Sequence, residues 1–150
     1  MAKEKDQRRL STSQLLTFIK KSGSFAQVSE TLPDITEQPI FCHYLYEVMN
    51  QHQKLPKNII QDSGLERSYF YHILNGQKVP SRNVIIRICL CMSASLNETN
   101  QLLRLANQGV LYPRIRRDAA IIFCIENHYT MHKTNELLIE YHELPLYRED

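Results

Sequence analysis

Histidine and cysteine are the residue types in this chain best suited to metal or nucleophilic chemistry, and their spacing assembles no site. Histidines stand at 43, 52, 72, 128, 132 and 142, and only His128 and His132 have the i, i+4 spacing that lets two imidazoles grip one metal ion. They straddle the helix start expected at Thr130, so a shared face is not assured, and no nearby Cys or carboxylate completes a set. Cys42, Cys89, Cys91 and Cys124 include no Cys-x-x-Cys pair. On a helix Cys89 and Cys91 project about 200° apart, which is poor geometry for a common ligand. The four thiols read as reduced, mostly core residues of a cytoplasmic protein. There is no glycine-rich phosphate loop, no Gly-x-Ser-x-Gly elbow and no obvious Cys/His dyad. The expectation is no enzyme, no metal and no cofactor.

Attraction to phosphate is a better fit. Residues 40–106 hold seven basic and four acidic side chains, a balance of +3, whereas residues 107–150 carry −2. Positive charge therefore concentrates between Lys54 and Arg104, as a phosphate-binding face requires. The 150-residue chain as a whole is only +2, too mild for a generic polycation, and at 43% hydrophobic it has material for a core. Apolar runs such as Ala119-Ala120-Ile121-Ile122-Phe123 are too short to span a bilayer, so no membrane contact is expected. The charged start, residues 1–10, lacks the apolar stretch of a secretory signal.

The elements that must position these residues are helices throughout. Ser11, Thr12 and Ser13 offer caps for a helix from Gln14 to Lys21, and a second piece from Phe25 to Leu32 is expected to stop at Pro33. Pro33 and Pro39 bracket a linker. Beyond it, Phe41, Tyr44, Leu45, Val48 and Met49 make one amphipathic stripe. Pro56 opens a short helix ended by Gly64, and Glu66 to Asn75 forms the next, closed by Asn75-Gly76. Ser81 and Ser95 start two more. Beyond Pro113, helical patterns cover roughly 114–127 and 130–141. Residues 81–112 align with 116–147 at an offset of 35 with nine identities, including Thr-Asn-x-Leu-Leu and a terminal Leu-Tyr. Either a helical hairpin was duplicated or two hairpins solve one packing problem; a surface shared with a partner is the other use of such a repeat.

Residues 55–76 have the spacing of a helix-turn-helix. Two short helices must cross closely, so the turn takes Gly64, free to adopt positive φ, followed by the apolar Leu65. Ile59 and Ile60 stand five and four places before that glycine and Phe70 six places after it. Ile73 and Leu74 complete an inward stripe. Ser68, Tyr71, His72 and Asn75 then point outward, with Arg67 and Tyr69 at the flanks.

From about Ile40 to Leu103 the chain resembles the Cro/repressor-type helix-turn-helix domains, the xenobiotic-response-element family. Asn75-Gly76 followed by Lys78, Pro80 and Ser81 matches the family's loop after the recognition helix. The Ile-rich helix and the Ser95-Leu96 helix start match its last two helices. The longer pattern, with Tyr69-Phe70-Tyr71, Pro80-Ser81-Arg82, Leu111-Tyr112-Pro113 and Arg117-Asp118, is similar to a group of small bacterial proteins with an added C-terminal hairpin. The resemblance implies an all-α fold: a helical N-terminal extension (1–39), a five-helix repressor-like domain (40–112) and a helical hairpin packed on it (113–150).

It also implies a sequence-specific transcriptional regulator, a homodimer on double-stranded DNA, with the helix from Glu66 in the major groove. Arg67, Ser68, Tyr71 and His72 would read bases. Lys57, Tyr69, Asn75, the Gly76 backbone, Lys78 and Arg82 would hold phosphates. The residues leave other uses open. Arg82 also suits an intramolecular ion pair, since Arg117 recurs outside the motif; His72 suits a solvated helix position, and Tyr69 and Tyr71 a partial core. Pro56 stands where the family often places Gln, and Glu66 puts a carboxylate at the head of the reading helix. With the tyrosines these support a second function, a protein-interaction adaptor on the same scaffold.

Overall fold

The computed structural model describes residues 11–35 and 40–148. The charged start and the end of the expected Pro33–Pro39 linker lie outside them. Among the described residues every regular element is an α-helix. The chain divides into two compact units, Met1–Gln38 and Pro39–Asp150. Among the described residues no helix is long and apolar enough to cross a membrane.

The first unit contains α1 (Thr12–Lys21) and α2 (Phe25–Ile35), which pack on each other. A reciprocal cap starts α1: Ser11 Oγ accepts from the Gln14 amide at 3.2 Å, and Gln14 Oε1 accepts from the Ser11 amide at 2.9 Å. The expected stop at Pro33 is not observed; α2 runs through it to Ile35. Pro33 is the ninth of the eleven residues of α2, so its missing amide falls in the last turn, and the helix ends two residues beyond it.

The second unit contains α3 (Phe41–Gln51), α4 (Pro56–Ser63), α5 (Arg67–Leu74), α6 (Arg82–Met92), α7 (Leu96–Leu105), α8 (Arg116–Glu126) and α9 (Met131–Glu140). Helix α4 packs on α5 and α6, and α3 packs on α5 and α7. Leu45, Val48, Ile59, Phe70, Ile73, Ile86 and Leu103, all fully buried, join these helices into one core. Cys42, Cys89 and Cys124 belong to the buried set and Cys91 is half-buried. Burial pushes the Cys89 thiol up to about 12, which keeps it protonated and inert.

The 35-residue repeat is a repeat of structure as well as of sequence. Ser95 Oγ accepts from the Glu98 amide at 3.1 Å to start α7, and Thr130 Oγ1 accepts from the Lys133 amide at 3.1 Å to start α9. Thr99 Oγ1 donates to the Ser95 carbonyl, and Thr134 Oγ1 to the Thr130 carbonyl. Asn100 Oδ1 accepts from the Leu111 amide at 2.9 Å, and Asn135 Oδ1 from the Leu146 amide at 2.7 Å. In each hairpin the chain after the second helix is thus tied back to that helix. Arg82 Nε donates to the Gly109 carbonyl and Arg117 Nε to the Leu144 carbonyl, each at 2.8 Å.

Across the hairpins the contacts are reciprocal. Helix α6 packs on α9, and α7 on α8. Arg82 pairs with Asp118, and Arg117 Nη2 donates to Asn83 Oδ1 at 3.0 Å. Positions 83 and 118 are themselves 35 apart, so each arginine reaches the same position of the other hairpin. That exchange is the signature of an internal twofold.

Ser95→Ala and Thr130→Ala are expected to cost similar amounts, about 0.5–2 kcal/mol each, because they delete equivalent caps. Urea unfolding of the two variants checks this, through equal shifts of the midpoint at unchanged slope.

Candidate nucleic-acid interface

The site is built on the bend between α4 and α5. Pro56 occupies the first position of α4, where its missing amide is harmless, and Asn58 Oδ1 accepts from the Leu55 amide at 3.0 Å. Gly64 ends α4 with φ 71°, a left-handed turn that lets α5 start after Leu65 and Glu66. Ser63, fully buried, accepts from the Leu65 amide at 3.2 Å through its hydroxyl. Its carbonyl accepts from Arg87 Nη2 at 2.6 Å. The Arg87 guanidinium also lies 5.1 Å from the ring centre of Tyr147, in the tail after α9. One α6 arginine therefore braces the bend and holds the chain terminus against it. Gly64→Ala forces a β-carbon into the left-handed region, and is expected to cost about 1–2 kcal/mol, read as a lowered melting temperature.

Helix α5 buries Phe70, Ile73 and Leu74. Glu66 is its N-cap residue through backbone geometry alone; its side chain caps no amide. Instead Ser68 Oγ donates to Glu66 Oε1 at 2.7 Å, which turns the carboxylate toward the second residue of the helix. Arg67 and Ser68 are exposed, Tyr71 and His72 half-buried. The Arg67 guanidinium lies 5.6 Å from the Tyr71 ring centre, a cation–π stack at i, i+4 spacing. The structure thus gathers Glu66, Arg67, Ser68 and Tyr71 at the head of α5.

The end of α5 is closed by two bonds, Gly76 N–H to the Ile73 carbonyl and Gln77 N–H to the His72 carbonyl, at 3.1 and 2.9 Å. Gly76 takes φ 77°, and a β-carbon there would come within 3.4 Å of Cys42 Sγ. The Gly76 amide therefore already has an acceptor inside the turn. Asn75 and Lys78 are exposed, with Lys78 Nζ 5.6 Å from the Tyr69 ring centre; Lys57 on α4 is exposed as well.

Arg82 stands apart from this group. Its guanidinium donates to the Gly109 and Val110 carbonyls and to both oxygens of Asp118, at 2.8–3.1 Å. Asp118 is 2% exposed. Burial pushes its carboxyl up, but hydrogen bonds from Arg82 and the Tyr112 amide, with the charges of Arg82 and Arg117, outweigh it and hold the pKa below its ordinary value.

His128 and His132 lie on different elements. His128 is a left-handed residue after α8, whereas His132 lies on α9 and pairs with Glu136 at 3.0 Å. Among the described residues no group of three or more His, Cys, Asp and Glu is placed to hold a metal ion. Arg87 and Asn83 carry structural roles that no motif of the sequence marks, whereas Asn135 belongs to the Thr-Asn-x-Leu-Leu repeat. No known protein family, curated protein or solved structure matches the chain.

The interface therefore rests on its own geometry. Its outward groups are the Glu66 carboxylate, the Arg67 guanidinium, the Ser68 hydroxyl and the Tyr71 ring at the head of α5, with Asn75 and Lys78 past its end.

Proposed function

We propose that the chain is a DNA-binding regulator of the Cro/repressor helix-turn-helix type, with α5 lying in the major groove. The observation that supports this most is the division of α5. Phe70, Ile73 and Leu74 are sunk in the core, while Arg67 and Ser68 at its head, and Asn75 and Lys78 past its end, are exposed. Such a helix can enter a groove about 12 Å wide without unpacking the domain. Arg67, Ser68, Tyr71 and His72 are the base readers. Lys57, Tyr69, Asn75 and Lys78 hold the backbone. We assign Arg82 to the fold, because its donors are already matched to carbonyls and a buried carboxylate. A homodimer on half-sites about 34 Å apart supplies the surface that one motif lacks.

A second function, protein recognition on the same scaffold, is favoured by the Glu66 carboxylate at the head of α5 and by the tyrosine–cation pairs beside it. Titration of full-length protein with a duplex of random sequence at several salt concentrations separates the two. DNA binding requires affinity that falls steeply with salt, and a slope that flattens by about one for Lys57→Ala and for Lys78→Ala. Binding that is absent at low salt leaves the adaptor function.

A further inference from the structure

Each hairpin ends in a Leu-Tyr that its second helix ties down, but the two tyrosines meet different neighbours. The Leu111 and Leu146 amides donate to Asn100 and Asn135, the same position of the repeat. Beyond that bond the copies part. The position equivalent to Arg87 in the other hairpin is Ile122, so the twofold offers Tyr112 an aliphatic counterpart where Tyr147 has a guanidinium. Tyr112 is 51% exposed, whereas Tyr147 is half-buried with the Arg87 guanidinium 5.1 Å from its ring centre. The second tyrosine has a contact that the repeat does not explain.

That ring is held from behind. Asn135 Nδ2 donates to the Tyr147 carbonyl at 3.1 Å, and the Tyr147 hydroxyl lies 3.3 Å from His132 Nδ1. Arg117 donates to the Leu144 and Pro145 carbonyls. The guanidinium in front of it has less support. Fixing an arginine costs more rotamer freedom than fixing most side chains, and Arg87 Nε is buried without an acceptor. Its placement rests on the bond from Nη2 to the Ser63 carbonyl, at 2.6 Å, and on the Tyr147 face.

Ser63 matters because of where it stands. Its carbonyl is the last of α4, one of those with no partner inside the helix, and Arg87 supplies the missing donor. Gly64 turns immediately after, with Arg87 Nη2 3.7 Å from the place of a Gly64 β-carbon, and α5 begins three residues on at Arg67. We propose that Tyr147 is a positioning residue for α5: its ring keeps Arg87 on the Ser63 carbonyl, so the tail after α9 fixes the bend from which Arg67 and Ser68 project. The effect on the bend stands by itself; the effect on DNA affinity rests on the function proposed above.

The test is amide hydrogen exchange of the full chain, read by NMR, in Tyr147→Ala, Tyr147→Phe and Tyr112→Ala. The Leu65 amide, bonded to Ser63 Oγ, and the Phe70 amide, bonded to the Glu66 carbonyl, follow the bend. The Thr99 amide, bonded to the Ser95 carbonyl, follows the first hairpin. Tyr147→Ala is expected to speed exchange at Leu65 and Phe70 about 2- to 30-fold, the range of a partly desolvated cation–π contact, and to leave Thr99 unchanged. Tyr147→Phe, which keeps the ring, and Tyr112→Ala are expected to match wild type at all three. If Tyr147→Ala does not fold, Tyr147→Leu, which keeps bulk without a π face, replaces it with the same expectation. Equal acceleration at all three amides, no acceleration at Leu65, or a Tyr147→Phe as fast as Tyr147→Ala overturns the proposal. Affinity for a selected operator, measured alongside, is expected to fall several-fold in Tyr147→Ala and to hold in Tyr147→Phe. Unchanged affinity in Tyr147→Ala overturns the link from the tail to DNA reading. A wild type that binds no duplex overturns the regulator instead, and the exchange rates still decide the bend.

Discussion

Asp118→Ala is expected to remove about 3–5 kcal/mol of folding free energy, because it strands a partly buried guanidinium rather than deleting one contact. Arg82 makes two of its hydrogen bonds to this carboxylate, and the Tyr112 amide donates to it at 3.0 Å. Asp118→Asn is expected to cost less than Asp118→Ala. Position 83, its equivalent in the other hairpin, already uses an asparagine to accept from an arginine. Arg82→Ala in the Asp118→Ala background is expected to cost less than Arg82→Ala alone, since only the Gly109 and Val110 carbonyl bonds remain to be lost; that coupling, read from a double-mutant cycle in urea, separates a buried pair from two unrelated contacts.

The same pair sets a pH dependence. Because the folded pKa lies below the ordinary 3.8, the stabilisation is fully present above that value and is lost as pH falls through it toward the folded pKa. Glu98 acts in the same sense. Burial pushes its carboxyl up, but the Ser95 amide, His52 and the Ser95 hydroxyl lower it further. Acid unfolding of Asp118→Asn is expected to begin from a lower starting stability, with a shallower fall below pH ~4.

Arg67→Ala is expected to weaken binding to a selected operator about 5- to 150-fold, the equivalent of about 1–3 kcal/mol, and to relax preference at one base pair. The stack on Tyr71 holds the guanidinium at 5.6 Å from the ring before DNA arrives, so less side-chain freedom remains to be lost. Arg67→Lys is not expected to rescue, because an ammonium cannot present the paired donors that guanine accepts. Tyr71→Phe keeps the stack and is expected to stay near wild type, whereas Tyr71→Ala is expected to lose several-fold. Competition titrations against single-base operator variants measure all four.

Periodicity made the helices legible. Ile59, Phe70, Ile73 and Leu74 could be assigned inward from their spacing about Gly64, and the all-helical class followed from the absence of strand alternation. Other features depend on contacts that no window of sequence contains. Arg82 stands at the N-terminus of a helix next to a basic motif, and only the return of residues 109–110 and 118 to that helix shows what its donors meet. Arg87 looks like one more half-exposed helical base until the Ser63 carbonyl and Tyr147 are placed around it. Pro33 stands within the last turn of α2 rather than at its end, a difference of two residues that its residue type does not mark. Gln53, Ser93, Asn107, His128 and His142 take the left-handed conformation that glycine usually signals, yet the caps and prolines that follow marked most of these turns.

Selecting bound sequences from a random duplex pool, with wild type and Arg67→Ala side by side, puts the outward side of α5 to the most direct trial. Recognition through that helix predicts that wild type enriches a two-fold related motif and that the variant loses preference at matching positions in both halves. A wild-type pool that stays random at low salt, or a motif identical for both proteins, would mean that these side chains read no DNA.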